Sequence, residues 1–306
     1  MRPAFSVVFL TTLIGAGQGL FLALYAADLA APLPNGFAAI GAAGAALLST
    51  LGLVASFFHL GRPERAWRSA AKWRTSWLSR EVIALPVFIA AVVAYAWSEI
   101  QAPQHARAIG AVAAAACLAL FVCTAMIYAG IRFLQEWASP LTIANFVLIG
   151  CASGCSVAAA FAALREPGRA AAFAAAALAL TVVAAATRAA SLARNARLRP
   201  RSTLQSAIGI PARRIEQKSQ GFMGGSFNTR EFFHGASRGK LRAVKWGFLA
   251  LGFAAPALLL AAGLALAAPA LFVAAPVVQY AGLVAERWFF LAQANHPQNL
   301  YYQAMA

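Results

Sequence analysis

Charged side chains are scarce in this chain. Only 11% of its 306 residues are Asp, Glu, Lys or Arg, while 61% are apolar. A soluble domain of average composition has about a quarter of its residues charged. The few charges fall between apolar blocks of roughly 20 residues, the length that crosses a hydrocarbon core about 30 Å thick. These features exclude a soluble protein and indicate a membrane protein with several spans.

The alternation of apolar and polar residues that marks a membrane barrel is also missing, because the apolar runs are continuous in Ala, Leu, Val, Phe and Gly. The sequence therefore predicts an all-α integral membrane bundle of about eight helices, forming a single domain over residues 1–306. The first apolar run lacks a convincing cleavage site and is predicted to be a retained span. The predicted spans are 6–30, 36–58, 82–98, 107–130, 140–163, 168–187, 246–268 and 270–292.

Cysteine and histidine are rare, with four of each. Cys117, Cys123, Cys151 and Cys155 lie in predicted spans without a CxxC pair, so we interpret them as small buried apolar residues and predict no iron–sulfur cluster. A haem with two His ligands needs paired histidines at bilayer depth. None of the four histidines (His59, His105, His234 and His296) is in the middle of a span. We therefore expect no haem or metal in this chain.

Acidic residues are outnumbered by basic ones, nine against 25. Residues 188–245 hold many of the basic residues and are predicted to form a cytoplasmic loop between helices 6 and 7. Alternating the loops between two faces places 22 of the 25 Lys and Arg beside the two termini, and only Arg107, Arg165 and Arg169 opposite. Since cytoplasmic loops retain Lys and Arg, both termini and the basic loops should face the cytoplasm from a bacterial inner membrane. Basic residues that flank membrane spans do not indicate nucleic-acid binding.

The segment "FFHLGRPERAWRSAAKWRTSWLSRE" (57–81) separates spans 2 and 3. His59 ends one span and Glu81 begins the next, so an antiparallel hairpin places both at one membrane surface, with helix axes about 8–10 Å apart. The interleaved Trp and basic residues are typical of an interfacial belt at headgroup depth. His59 and Glu81 differ from this belt, because an ionisable residue at a span end with a partner across the hairpin is by default a functional-site hypothesis.

Reduction of a quinone takes two electrons and two protons, and a ring in a lipid-facing pocket needs protein groups to carry those protons. Histidine titrates near neutrality, and a carboxyl group does so when burial shifts its pKa. We therefore interpret His59 and Glu81 as catalytic proton carriers. Gln18 and Tyr128 could each hydrogen-bond a quinone carbonyl or be satisfied by a neighbouring helix. Elsewhere, the adjacent Glu286 and Arg287 suit a mutual or interhelical ion pair.

Three segments carry a resemblance to a known family. The stretch "FHLGRPERAWRSAAKWRTSWLSRE" (58–81), the stretch "GLVAERWFFLAQANHPQNLYY" (282–302) and the "GQGL" of the first span resemble the DmsC family. These proteins are the membrane-anchor subunits of DMSO-reductase-type complexes, and they are related more distantly to NrfD-like quinone-reactive anchors.

The resemblance implies a quinone or quinol as the redox partner in the membrane. It also implies an iron–sulfur electron-transfer subunit with four clusters and a molybdopterin catalytic subunit as protein partners. In that family the His of the HLGRP motif and the Glu of the SRE motif, here His59 and Glu81, are implicated in quinol binding. More loosely, it assigns ring contacts to Gln18 and Tyr128. We expect Arg62 and Arg80 to set the local potential.

The charge distribution favours one branch of this family. Catalytic subunits of DMSO reductases commonly work outside the cytoplasm, whereas the quinone motif and basic loop here are predicted inside. We therefore expect the anchor of a cytoplasmic sulfite-oxidising enzyme, with a DMSO or related reductase as the alternative. A transporter would show internal repeats and ionisable groups at the bilayer midplane, which the sequence lacks. A structural tether without a redox role stays open.

Overall fold

The computed structural model describes residues 1–218 and 227–302, and these residues form helices and connecting segments without any strand. Within them, eight helical segments are long and apolar enough to cross a membrane. The predicted all-α membrane bundle is confirmed. The helices are α1 Phe5–Ala30, α2 Asn35–Phe57, α3 Trp77–Gln101, α4 Pro103–Ala129, α5 Pro140–Arg165, α6 Pro167–Ala196, α7 Leu204–Ile208, α8 Phe227–Glu231, α9 Arg238–Leu249, α10 Ala255–Leu266 and α11 Pro269–Ala292.

Proline and serine define where several spans begin. Proline occupies the first position of α4, α5, α6 and α11, where its missing N–H leaves no hydrogen bond unmade. Ser76 caps α3 by accepting a hydrogen bond from the N–H of Ser79 at 3.3 Å. The π-helical turn Ala250–Ala254 joins α9 to α10, so Arg238–Leu266 forms one continuous span. Ala267, at φ 48°, then ends α10 in the left-handed region, and α11 is a separate helix.

Helices α1 and α5 lie at the centre of the bundle and pack against each other through glycine. A Cβ on Gly15 or Gly19 would meet the backbone of Gly150, and a Cβ on Gly154 would meet the backbone of Gly19. Glycines spaced four residues apart on each helix therefore let the two backbones approach closely. This contact brings the polar side chains of α1 and α5 within reach of α4 and α11, which flank the central pair.

The polar connection between spans 6 and 7 is shorter than the predicted loop of residues 188–245. Helix α6 continues to Ala196 and α9 already begins at Arg238. Arg188 therefore belongs to the bundle and not to the loop. Within this connection, the segment "GFMGGSFNTREFFHG" (221–235) is rich in glycine and aromatic residues, as a contact surface would be, but its first six residues lie outside the described residues.

Both termini and the connection after α6 meet at one end of the bundle, here called the N-terminal face. The N–H of Arg2 donates to the carbonyl of Glu231, and the hydroxyl of Tyr301 donates to the carbonyl of Ala207 at 2.8 Å. An even number of membrane-crossing helices requires this arrangement. The segment 58–76 and the start of α3 lie at the same face, because α2 runs antiparallel to α1.

Candidate functional site

Glu81 is the fifth residue of α3, about 6 Å from the helix start at 1.5 Å per residue. It begins a stripe of buried residues at spacings of three and four, which turns one face of the helix toward the bundle interior. Its side chain is only 6% exposed, and its Oε1 accepts a hydrogen bond of 2.6 Å from the Thr124 hydroxyl on α4. The stripe consists of Glu81, Leu85, Phe88, Val92, Tyr95 and Glu99.

His59 lies two residues beyond the end of α2 and is exposed. Its side chain makes no hydrogen bond to any described residue, and no bond joins it to Glu81. Partial burial lowers the pKa of His59 below its ordinary value, so the neutral imidazole predominates at pH 7. The structure thus places one predicted proton carrier at the surface of the N-terminal face and the other inside the bundle.

Arg80 is engaged in holding the segment between α2 and α3 in place. Its Nε donates to the carbonyl of Trp73 at 2.9 Å and its Nη2 to the carbonyl of Arg74 at 2.8 Å. The guanidinium also lies over the Trp77 ring at 4.2 Å, a cation–π contact. Arg62, by contrast, is exposed at the start of the 3-10 helix Pro63–Lys72.

Gln18 lies inside the bundle, near the middle of α1, and is 1% exposed. Its Nε2 donates to the carbonyl of Cys117 on α4 at 2.9 Å, and the Cys117 thiol points back to the carbonyl of Gln18 at 3.7 Å. The sequence left open whether Gln18 hydrogen-bonds a quinone or a neighbouring helix, and the structure shows the bond to the neighbouring helix. The side chain still lines an internal cavity together with Thr124.

Tyr128, at the end of α4, is buried in an aromatic cluster. It stacks on Phe146 with ring centroids 5.4 Å apart and meets Trp137 and Phe290 edge-on. This packing holds the Tyr128 ring at the end of α4 against Phe290 of α11.

A buried ionic cluster, which the sequence showed only in part, occupies the neighbouring helices α6 and α11. Glu286 is 2% exposed, and its Oε1 lies 2.7 Å from Nε of Arg188. The expected pairing of Glu286 with Arg287 is confirmed at 3.8 Å, and Arg287 also lies 3.8 Å above the Phe146 ring. Arg188 was missed because a basic residue after an apolar run resembles a loop residue. The signal that could have found it is the helical spacing of Ala184, Arg188 and Ser191, which share the buried face of α6.

An internal cavity, here called the polar cavity, lies between α1, α4, α5 and α11. Thr124, which bonds Glu81, lines it together with Gln18, Glu286 and Arg287 from α1 and α11. Its volume is about 20 Å³, which suits about one water molecule and is far too small for a quinone ring. Glu286 and Arg287 form part of its wall, whereas Glu81 is linked to it through the Thr124 hydroxyl. This arrangement can bind water and exchange protons, and in this structure the cavity does not admit a ring.

A larger cleft of about 1350 Å³ opens at the N-terminal face, here called the N-terminal cleft. Met1, Glu136, Asn195, His234 and His296 contribute to its wall. Burial lowers the pKa of the Met1 amino group to about 6, opposed in part by the Glu136 carboxylate. Burial and then the charged amino terminus lower the pKa of both histidines. The amino group and the two imidazoles are therefore largely neutral at pH 7 and can accept protons from water.

No group of three or more His, Cys, Asp or Glu that could hold a metal ion occurs in residues 1–218 and 227–302. The four cysteines are free thiols, and three of them are buried.

Comparison with known proteins identifies two similarities. The model of the family described as DMSO reductase anchor subunit (DmsC) matches residues 1–209, which include Gln18, His59, Glu81 and Thr124. The chain is also 51% identical to a subunit of the sulfite dehydrogenase of Allochromatium vinosum, in an alignment that covers 100% of both chains. That second alignment therefore includes α11, with Glu286 and Arg287.

Proposed function

Because the chain belongs to the DMSO reductase anchor subunit (DmsC) family, we propose that it is the quinone-reactive subunit of a complex that oxidises sulfite. The observation that carries this proposal is the position of Glu81, a buried carboxyl one turn inside a membrane span. Ionisable groups at such depth are costly and are kept for function. The identity of 51% to a sulfite dehydrogenase subunit along the whole chain supports the choice of sulfite.

The partners of the proposed complex are an iron–sulfur electron-transfer subunit and a molybdopterin catalytic subunit. Sulfite would be oxidised in the catalytic subunit, and the iron–sulfur clusters would carry electrons to the N-terminal face of this chain. The chain itself would perform no substrate chemistry on sulfite. Its share of the reaction is to hold the quinone and to supply the two protons that the reduced ring takes up.

The roles of the site residues follow from their positions. Glu81 donates a proton to a quinone oxygen and is kept in place by the Thr124 hydroxyl. His59, neutral at pH 7 and exposed, takes protons from water at the lip of the site. Gln18 and Tyr128 orient the ring by hydrogen bonding when the helices part to admit it. Arg80 fixes the segment before α3, and Arg62 adds positive charge at the surface where electrons arrive.

Quinol oxidation is the alternative direction, because the family model is that of a DMSO reductase anchor. The same residues would then accept protons from quinol and the partner would reduce its substrate. A tether without a redox role has less support, since it gives no reason for a buried Glu81 next to a polar cavity.

Omission of this chain tests the proposed function. Membranes that carry the whole complex should transfer electrons from sulfite both to a short-chain quinone and to ferricyanide. Without this chain, the remaining subunits should still reduce ferricyanide, because the catalytic and iron–sulfur centres are elsewhere, but should no longer reduce the quinone. Equal quinone reduction with and without the chain would assign the role to another subunit, and the chain would then be a tether.

The orientation is a second part of the proposal, with the N-terminal face in the cytoplasm of a bacterial inner membrane. It rests on the excess of Lys and Arg on that face. A reporter active only in the cytoplasm, fused within the connection 197–237, should be active, and an alkaline phosphatase fusion there should be silent. A matched fusion between α5 and α6 should give the opposite pair of results. Reversed signals would place the site outside and favour the DMSO reductase direction.

A further inference from the structure

Four of the buried polar atoms without a hydrogen-bond partner among the described residues form a series, here called a line, across three helices. They belong to α5, α6 and α11, and their residues are largely shielded from solvent. Such groups cost free energy unless they are hydrogen-bonded, so water is their expected partner. The four atoms are Oδ1 of Asn145, Nη2 of Arg188, Oε2 of Glu286 and Nε of Arg287.

The inner end of this line reaches Glu81. Glu286 and Arg287 line the polar cavity on one side, and Thr124 lines it on the other. The Thr124 hydroxyl donates to Glu81 at 2.6 Å and can in turn accept a hydrogen bond from a water in the cavity. With room for about one water, the cavity can connect the two carboxyl groups by hydrogen bonds.

The outer end of the line reaches the N-terminal cleft. Arg188, Ser191 and Asn195 stand at positions i, i+3 and i+7 of α6 and share one face of the helix. Nδ2 of Asn145 donates to the Ser191 hydroxyl at 2.7 Å. Asn195 then lines the cleft, where its Nδ2 donates to the carbonyl of Glu136 at 3.3 Å. Polar groups therefore succeed one another from the cleft to the polar cavity.

We propose that these groups form a hydrated proton route from the N-terminal cleft to Glu81, with Glu286 as its internal carboxyl group. The inference rests on the proposed function and adds the path by which Glu81 regains its proton. For each quinone reduced, the ring takes up two protons from water, and those that enter at the cleft reach it through Glu81. Each of these forms an O–H bond on Glu81, which then breaks as an O–H bond forms on a quinone oxygen. The two electrons come from the partner's iron–sulfur cluster.

A purely structural role explains the ionic cluster less well. A buried ion pair is seldom more stabilising than apolar residues of similar volume. Here two guanidinium groups share the carboxylate of Glu286, and Nη2 of Arg188 still lacks a partner among the described residues. A hydrated route gives each of these groups a hydrogen-bonding partner and a reason to be retained.

The test compares Glu286→Gln, Asn145→Leu and Glu99→Gln in the complete purified complex. The first removes the internal carboxyl, and the second places an apolar side chain in the route without changing any charge. The third is a matched control, because Glu99 is also buried but lies near the opposite end of α3. The readouts are reduction of a short-chain quinone, reduction of ferricyanide, and rescue of quinone reduction by a small weak acid such as acetic acid.

We expect both route variants to slow quinone reduction by about 10²-fold, the lower end of what proton transfer contributes, with ferricyanide reduction unchanged. Acetic acid should restore part of the lost rate, since it can deliver protons inside the protein. Glu99→Gln should behave as the unchanged complex.

Two results would overturn the route. One is an unchanged rate of quinone reduction in Asn145→Leu, which decides the matter even where Glu286→Gln fails to assemble. The other is a slowed rate that acetic acid does not restore, which indicates a packing defect. Neither result affects the proposed function, which fails when omission of the chain leaves quinone reduction intact.

Discussion

The substitution Glu81→Gln is expected to stop electron transfer to quinone while leaving the reduction of ferricyanide by the same complex intact. The amide has nearly the same shape as the carboxyl and can still accept the hydrogen bond from Thr124, so the packing between α3 and α4 should survive. What the amide cannot do is release a proton at neutral pH. Because a positioned acid or base contributes about 10²–10⁴-fold, quinone reduction should fall by that factor.

The measurement is the ratio of quinone-coupled to ferricyanide-coupled turnover, which cancels differences in expression. Thr124→Val serves as a graded variant, because it removes the hydroxyl but keeps the branched shape, and it should lower the ratio less than Glu81→Gln does. Glu99→Gln is the matched control for loss of a buried carboxyl. An unchanged ratio in Glu81→Gln would remove that residue from the mechanism.

His59 is the second residue to test in the same assay. The sequence hypothesis treats it as an equal partner of Glu81, whereas the structure places it exposed and without a bond to that carboxyl. His59→Ala should reduce the quinone-coupled rate if protons pass through the lip of the site. Quinone reduction could instead be unchanged in His59→Ala and lost in Glu81→Gln. Protons would then reach Glu81 without His59, by the proposed route from the N-terminal cleft.

The spans could be predicted from the sequence because the free energy of burying apolar surface in lipid is local. A run such as Phe5–Ala30 has the required length and hydropathy whatever its neighbours are. The place of Glu81 near the start of a span could also be predicted, since hairpin geometry brings a span start to the membrane surface, whereas its role stays a prediction. Glycines four residues apart on α1 and α5 allow close packing, but which helices they bring together is seen only in the structure.

The partners of the site residues could not be predicted, because they are distant in the chain. Thr124 is a common residue in an apolar span, and nothing near it in the sequence points to Glu81, 43 positions earlier. Gln18 likewise donates a hydrogen bond to a backbone carbonyl on α4. Because every residue has a backbone carbonyl, no pattern of side chains in the sequence indicates this partner. The end of α6 was misplaced for a related reason: hydropathy counts Arg188 as a residue for solvent, whereas a carboxylate 98 positions later compensates its charge inside the bundle.

Replacement of Arg188 by Met is expected to destabilise the bundle by about 3–5 kcal/mol, the cost of removing one partner from a buried ion pair. Arg188 is 1% exposed and lies 2.7 Å from Glu286. In the variant, the buried carboxylate of Glu286 would have only one cationic partner left, Arg287 at 3.8 Å. The double variant Arg188→Met/Glu286→Leu removes both charges and should be more stable than Arg188→Met alone. Exposed Arg199 on the same face is the control, and Arg199→Met should change stability by less than about 0.5 kcal/mol.

Thermal unfolding of the purified chain in detergent, followed by aromatic fluorescence, compares the unchanged chain, the single variants Arg188→Met and Glu286→Leu, the double variant and Arg199→Met on one scale. A double variant whose loss equals the sum of the two single losses would show that the pair has no coupling energy. Should the double variant recover its stability, its quinone-coupled rate should still be low, because Glu286 is absent from the proton route. The double variant would then be stable but slow in quinone reduction. This is the expected result when a buried charge is retained for proton transfer and not for folding.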